Sequence, residues 1–152
     1  MTPFMNNNYD YKQKYECWLN TGKAFLKCQR TMNSLLSKLD ITIAQHELLQ
    51  TIYRKQGATQ KEVSEQLLVV KSNVSNHIKN LQQRGLVKTS HCKTDLRNKN
   101  LILTAKGERL VKRSAEIQRK IITTMMKDMK QSDILATNRL MLTAMESLDE
   151  IT

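Results

Sequence analysis

The sequence predicts a mainly α chain with one small β-hairpin. Three observations carry that expectation. Apolar residues recur at helical spacing over most of the 152 residues, two short β-prone runs flank a polar stretch in the middle of the chain, and the single proline, Pro3, lies at its start. Residues 10–37 carry Tyr11, Tyr15, Trp18, Leu19, Phe25, Leu26, Met32, Leu35 and Leu36 on an imperfect stripe, which predicts one long helix weakened at Gly22. Ile43, Leu48, Leu49 and Ile52 predict a second helix over 43–55, stopped by Gly57.

Thr59-Gln-Lys-Glu62 has the spacing of a capping box, in which hydroxyl and carboxylate satisfy each other's orphan backbone donors, so a short helix should cover 60–68. Val69 and Val70 interrupt the pattern. Val74, Ile78 and Leu81 then resume it on one face of a helix over 71–84, ended by Gly85. Residues 86–92 partly alternate and 100–104 are apolar and β-prone; between them 93–99 reads as a polar, charged hairpin tip. Two further stripes follow, from Leu110 to Met129 and from Ile134 to Leu148, with Ser132 as the N-cap between them. With no repeat and no low-complexity linker, the chain reads as one domain: an N-terminal helix over 1–38, a central module over 39–107 and C-terminal helices over 108–152.

Charge narrows the partners. Lys and Arg number 25 against 14 acids, a formal net charge of +11 that favours a polyanion. The excess sits centrally, where residues 55–100 hold nine Lys/Arg and three acids, while 131–152 are net −3. No apolar run is long enough to cross a bilayer and the N-terminus lacks a secretory pattern, so a cytoplasmic protein without membrane contact is expected. Three cysteines, Cys17, Cys28 and Cys92, make neither a disulfide framework nor a zinc motif, and His46, His77 and His91 show no metal-ligand spacing. No metal, no cofactor and no catalytic residue is expected: the chain has no phosphate-binding glycine loop, nucleophile motif or carboxylate cluster.

Helix, turn, helix and hairpin in this order describe a winged helix-turn-helix, whose second short helix enters the major groove while a basic wing reaches the neighbouring backbone or minor groove. Opposite its apolar face, helix 71–84 carries Ser72, Asn73, Ser75, Asn76, Lys79 and Asn80. An Asn amide can pair with adenine N6 and N7, so Asn73 and Asn76 are candidate base readers, with Ser72 and Ser75 beside them. Lys71 and Lys79 suit phosphates, and the wing adds Lys93, Asp95, Arg97 and Lys99. A guanidinium at a polar tip suits a narrow, electronegative minor groove. A solvated polar helix face and solvated loop charges are the competing readings of these residues.

The run Leu81-Gln-Gln-Arg-Gly-Leu-Val-Lys88, followed by Asp95-Leu-Arg97 and by Leu101-Ile-Leu-Thr-Ala-Lys-Gly107, resembles the signature of the MarR (multiple antibiotic resistance regulator) family. The resemblance covers about residues 39–107 and departs from the family pattern at Val70 and Leu96. It implies that Arg97 enters the minor groove, that Asp95 orients the wing through an ion pair, and that the first and last helices form a homodimer. Two modules on a two-fold axis would read an inverted repeat with half-sites about 10 bp apart. The function expected is a sequence-specific double-stranded DNA-binding regulator, a repressor by family habit. The alternative is a protein-interaction module that retains the winged fold and sets its basic face on an acidic partner.

The resemblance also implies release by a small-molecule effector or by thiol oxidation. Cys17 resembles in placement the sensing cysteine of organic-hydroperoxide regulators of the family, and Tyr11, Tyr15 and Lys14 are near it in sequence. A buried helix cysteine acting as a small hydrophobe is the competing reading. Cys28 stands eleven residues further on, about 16 Å along an intact helix, so the two cannot bridge within one chain. Met125, Met126, Met129, Met141 and Met145 fit either interface packing or a ligand cavity.

Overall fold

A computed structural model describes the backbone of residues 9–67, 73–92 and 95–151, and their side chains except those of residues 9 and 91–99. The elements are α1 (Tyr9–Leu36), a 3-10 turn (Ser37–Leu39), α2 (Ile43–Arg54), β1 (Ala58–Thr59), α3 (Gln60–Glu65), α4 (Val74–Gln83), β2 (Val87–Cys92), β3 (Asp95–Leu103), α5 (Ala105–Met125) and α6 (Gln131–Asp149). The predicted fold class is the one observed: mainly helical, with a small antiparallel sheet ordered β1-β3-β2. The chain forms two compact units, Met1–Gln118 and Arg119–Thr152.

In the first unit the helix-turn-helix and the sheet share one core. Leu48, Leu49 and Ile52 of α2, Val63 of α3, Val74, Ile78 and Leu81 of α4, and Leu101 and Leu103 of β3 are all buried in it, as the apolar spacing requires. Two capping boxes start the short helices. Thr59 Oγ1 accepts from the Glu62 N–H at 3.3 Å while Glu62 Oε2 accepts from the Thr59 N–H at 2.7 Å. Thr42 and Gln45 do the same for α2, at 3.2 and 3.1 Å. The second box is also written in the sequence, as Thr-x-x-Gln.

Helix α4 ends in a two-bond C-cap. Gly85, at φ +68°, donates to Gln82 O, and Leu86, which is buried as Leu81 is, donates to Leu81 O, both at 2.9 Å. Thr104 gathers the base of the wing onto this cap. Its N–H donates to Leu86 O at 3.0 Å, its hydroxyl to Gly85 O at 2.7 Å, and that hydroxyl oxygen accepts from the Gly107 N–H at 3.0 Å as α5 begins. Gly107 has no room for a side chain, because a Cβ there would overlap the Leu86 carbonyl oxygen. The Gly-Leu-Val and Leu-Thr-x-x-Gly motifs are therefore two halves of one hydrogen-bonded joint.

Several boundaries differ from expectation. Helix α1 is the one long helix expected, and it runs through Gly22 unbroken because a 28-residue helix absorbs one residue's propensity cost. Helix α3 ends at Glu65, earlier than residue 68, and α4 begins at Val74, because Asn73 adopts a left-handed conformation (φ 62°) that no helix interior accepts. The hairpin tip over 93–99 is largely strand: β3 starts at Asp95, and β1, too short to show a periodicity, pairs with it at Ala58–Leu101. Ladder pairing at Asp95 and Lys99 overrides their weak strand propensity. Ser132 is not the cap of α6; Lys130 is, its N–H donating to Asp133 Oδ2 at 3.3 Å.

Candidate nucleic-acid interface

Helix α4 turns Val74, Ile78 and Leu81 into the core and leaves Asn73, Ser75, Asn76, Lys79 and Asn80 exposed. At about 100° per residue, Asn76 lies opposite the buried stripe, with Asn80 and Asn73 on one flank and Lys79 and Ser75 on the other. Both flanks are tied down. On one, Gln45 of α2, only 9% exposed, donates through Nε2 to Asn80 Oδ1 at 2.9 Å. On the other, Gln60 of α3 donates through Nε2 to Ser75 Oγ. The Asn76 amide donates to Asn73 Oδ1 at 2.9 Å, so the two candidate base readers hold each other.

The C-terminal end of α4 is held by cations. Lys106 donates to Arg84 O at 2.9 Å, which suits the negative end of a helix, and Arg84 itself reaches Asp40 Oδ2 at 3.4 Å. In the capping box of α3, the Thr59 backbone N–H and hydroxyl, and then the Lys55 ammonium, hold the Glu62 carboxyl below the usual carboxylate range.

Of the sequence-predicted residues, Asn73, Ser75, Asn76 and Lys79 thus lie together on the exposed side of α4. Lys71, Ser72 and Lys93 lie outside the described residues, as does Val70. Asp95, Arg97 and Lys99 belong to β3, and their side chains lie outside the description. The ladder pairs His91 with Lys99 and Cys92 with Asp95, so its register shifts within that step and residues 96–98, Arg97 among them, are the surplus on β3. Such a bulge bends and twists a strand, the usual device for re-aiming a wing tip. Gln45 and Gln60 went unnoticed at the sequence level, since a partner on another helix leaves no periodic signal.

Away from α4, Cys17 is exposed on α1 and Cys28 is half-buried, which removes the reading of Cys17 as a buried hydrophobe within one chain. Lys14 pairs with Asp10 at 2.6 Å, and Tyr15 packs on Tyr11 and Trp18 with ring centroids 6.5 and 5.7 Å apart. His46, 4% exposed on α2, has its Nδ1 without a partner; burial pushes its pKa below the ordinary value, against the opposing pull of Gln118 and Glu47. In the second unit Met125, Met126, Met129, Met141 and Met145 are all exposed, so none is enclosed within it. Among the described residues no cluster of His, Cys, Asp and Glu could hold a metal ion, and no helix is long and apolar enough to cross a membrane.

A core-docked helix with an amide-rich outer face, followed by a hairpin stapled to its C-cap, defines the winged helix-turn-helix class. Residues 41–99 match the model of the MarR family. The similarity to that family thus spans the helix-turn-helix and the hairpin. The chain is 30% identical over 96 residues to the HTH-type transcriptional regulator Hpr of Bacillus mycoides, a match covering 62% of this chain and 52% of that protein. A 28% match over 97 residues links it to an uncharacterized HTH-type regulator of Bacillus cereus, covering 64% of each. The chain therefore spans between half and two thirds of the length of these relatives.

Among solved structures, a MarR-like transcription regulator from Bacillus cereus superposes with a TM-score of 0.76 at 19% identity, over 90% of this chain and 99% of that one. The S. aureus MepR–DNA complex does so with a TM-score of 0.75 at 22% identity, over 93% and 99%. At these identities the likeness is one of fold.

Proposed function

We propose that the chain is a sequence-specific, double-stranded DNA-binding repressor that acts in the cytoplasm as a homodimer on an inverted repeat. The observation that carries this reading is α4: a helix docked by Val74, Ile78 and Leu81 whose outer face offers amides and Lys79, pinned on both flanks, within a chain of net charge +11. Asn73 and Asn76 read base edges, Lys71, Ser72, Ser75 and Lys79 set the helix against phosphates, and the wing residues Lys93, Arg97 and Lys99 grip the flanking groove, with Asp95 orienting the wing.

Dimerisation is supported by apolar surface that a single chain leaves in water. In α1 Trp18, Phe25 and Leu26 are exposed, Trp18 by 69%, and in α6 Leu135, Met145 and Leu148 are exposed although the helix buries no residue. Two-fold pairing would place two α4 helices about one helical turn of DNA apart. Release follows thiol oxidation at Cys17, which is exposed in the single chain, with a small-molecule effector as the other inducing signal.

The test is a gel-shift and anisotropy titration against the duplex upstream of the chain's own gene, with random duplex as competitor, over a range of salt. Specific binding that falls linearly in log K with log salt is expected. No preference over competitor at any salt, or preferential capture of an acidic protein, would overturn it.

A further inference from the structure

Asn80 lies on the face of α4 that the proposed function sets in the major groove, and an asparagine there can show DNA an acceptor or a donor depending on how its amide is turned. Three linked groups settle the direction. The Thr42 backbone N–H can only donate, and it donates at 3.1 Å to the Gln45 side chain, so the end of Gln45 facing it is the oxygen, Oε1. The other end of Gln45 is therefore Nε2, which can only donate, and it donates at 2.9 Å to Asn80. The Asn80 atom facing Gln45 is then Oδ1, and Nδ2 with its two N–H donors is the end turned away.

Gln45 has little freedom to do otherwise, being nine-tenths buried and committed at both ends of its amide. The Asn73–Asn76 pair lacks such an anchor, because either of two linked amides can serve as donor.

We infer that Asn80 is a specificity-determining residue held by Gln45 as a donor-only reader, selecting a purine edge that offers acceptors alone, the N7 and O6 of guanine. Adenine is disfavoured because its N6 amino group would meet the Asn80 amino group. The capping box of α2 thereby sets what a residue of α4 can recognise, without touching DNA. This inference rests on the DNA-binding reading above.

The experiment is selection from a pool of duplexes randomised over about 20 base pairs, enough for two half-sites one helical turn apart, followed by sequencing of the bound fraction. The intact chain should enrich guanine at one position per half-site, on the order of tenfold. Asn80→Ala should flatten that position alone. Gln45→Glu keeps the capping box, but its second carboxylate oxygen can only accept, so Asn80 must turn its amino group inward and show Oδ1 to the groove. The preference should then move to a base with an exposed amino group, cytosine or adenine.

Asn80→Asp leaves Gln45 undisturbed and presents an acceptor directly, so it should move the same position the same way, which keeps the test intact if Gln45→Glu fails to fold. The inference is overturned if Asn80→Ala weakens every sequence equally, or if Gln45→Glu, folded by its thermal melt, or Asn80→Asp retains the guanine preference. Failure of the intact chain to enrich any sequence would overturn the DNA-binding reading instead, and with it this one.

Discussion

Replacing Gly107 by alanine sets two effects of opposite sign against each other. In a helix interior alanine is better than glycine by about 1 kcal/mol, so propensity alone predicts stabilisation. At this position the new methyl would overlap the Leu86 carbonyl oxygen and lie 3.0 Å from the Leu86 carbonyl carbon, with Leu103 Cδ2 at 3.4 Å. The oxygen cannot simply move away. It accepts from the Thr104 N–H at 3.0 Å, and the same residue's N–H closes the α4 cap onto Leu81 O at 2.9 Å.

Relief by backbone shift loosens those two bonds at roughly 1 kcal/mol each, and overpacking costs a further 1–3 kcal/mol, so after the helix-propensity gain the net loss is about 2–4 kcal/mol. For a chain of this length that corresponds to a Tm lowered by roughly 4–16 °C. Gly22→Ala supplies the contrast: nothing lies within 4 Å of a Cβ there, and a gain of about 0.5–1 kcal/mol is expected. Thermal and urea unfolding at one fixed protein concentration measure both, since a dimer's apparent stability depends on concentration. A Gly107→Ala protein as stable as the parent would refute the joint between α4, the wing and α5.

Four further outcomes follow from the same residues. Thr59→Ala should destabilise by about 1 kcal/mol in urea melts, and the parent should lose stability in acid as pH falls through the depressed Glu62 pKa, because a carboxylate stabilised in the fold contributes only while ionised. His46 has a lowered folded-state pKa, so the unfolded chain binds the proton more readily; stability should fall as pH drops below the ordinary histidine value, and His46→Leu should flatten the urea midpoint in that window. Arg97→Ala should weaken duplex binding and reduce the salt slope by about one unit if the wing contacts phosphate. Peroxide should release DNA from the parent and not from Cys17→Ser in a gel shift; equal release from both would remove Cys17 as the sensor.

How legible the fold was depends on the distance over which each signal acts. Helices α2 and α4 were readable because their buried residues, such as Val74, Ile78 and Leu81, repeat within a single turn or two, and α1 because its apolar residues repeat likewise although most of them stay exposed. The Thr59–Glu62 box was readable for the same reason, being closed within four residues. The start of β3 was not. The stretch from Asp95 to Lys99 is polar and rich in turn-forming residues, and it is drawn into the strand by the pairing of its two ends, Asp95 with Cys92 and Lys99 with His91 of β2. The cap of α6 falls on Lys130 rather than Ser132, and there the Asp133 carboxylate, three residues on, accepts the Lys130 N–H.

The site divides in the same way, and the division bears on how a polar helix face should be read. Composition shows that α4 bears amides and a lysine, but it assigns no direction to any of them. Direction comes from partners 15 and 35 residues away: Gln60 claims Ser75, and Gln45 claims the oxygen of Asn80. Counting exposed polar residues as groove contacts therefore overstates their freedom, because Ser75 and Asn80 each already spend one hydrogen bond within the protein. That expense has a physical return. A side chain already held at one end loses less conformational freedom when the other end binds, so on the proposed DNA-binding reading the tethered residues are better placed to discriminate between bases than Lys79, whose flexible ammonium suits a phosphate.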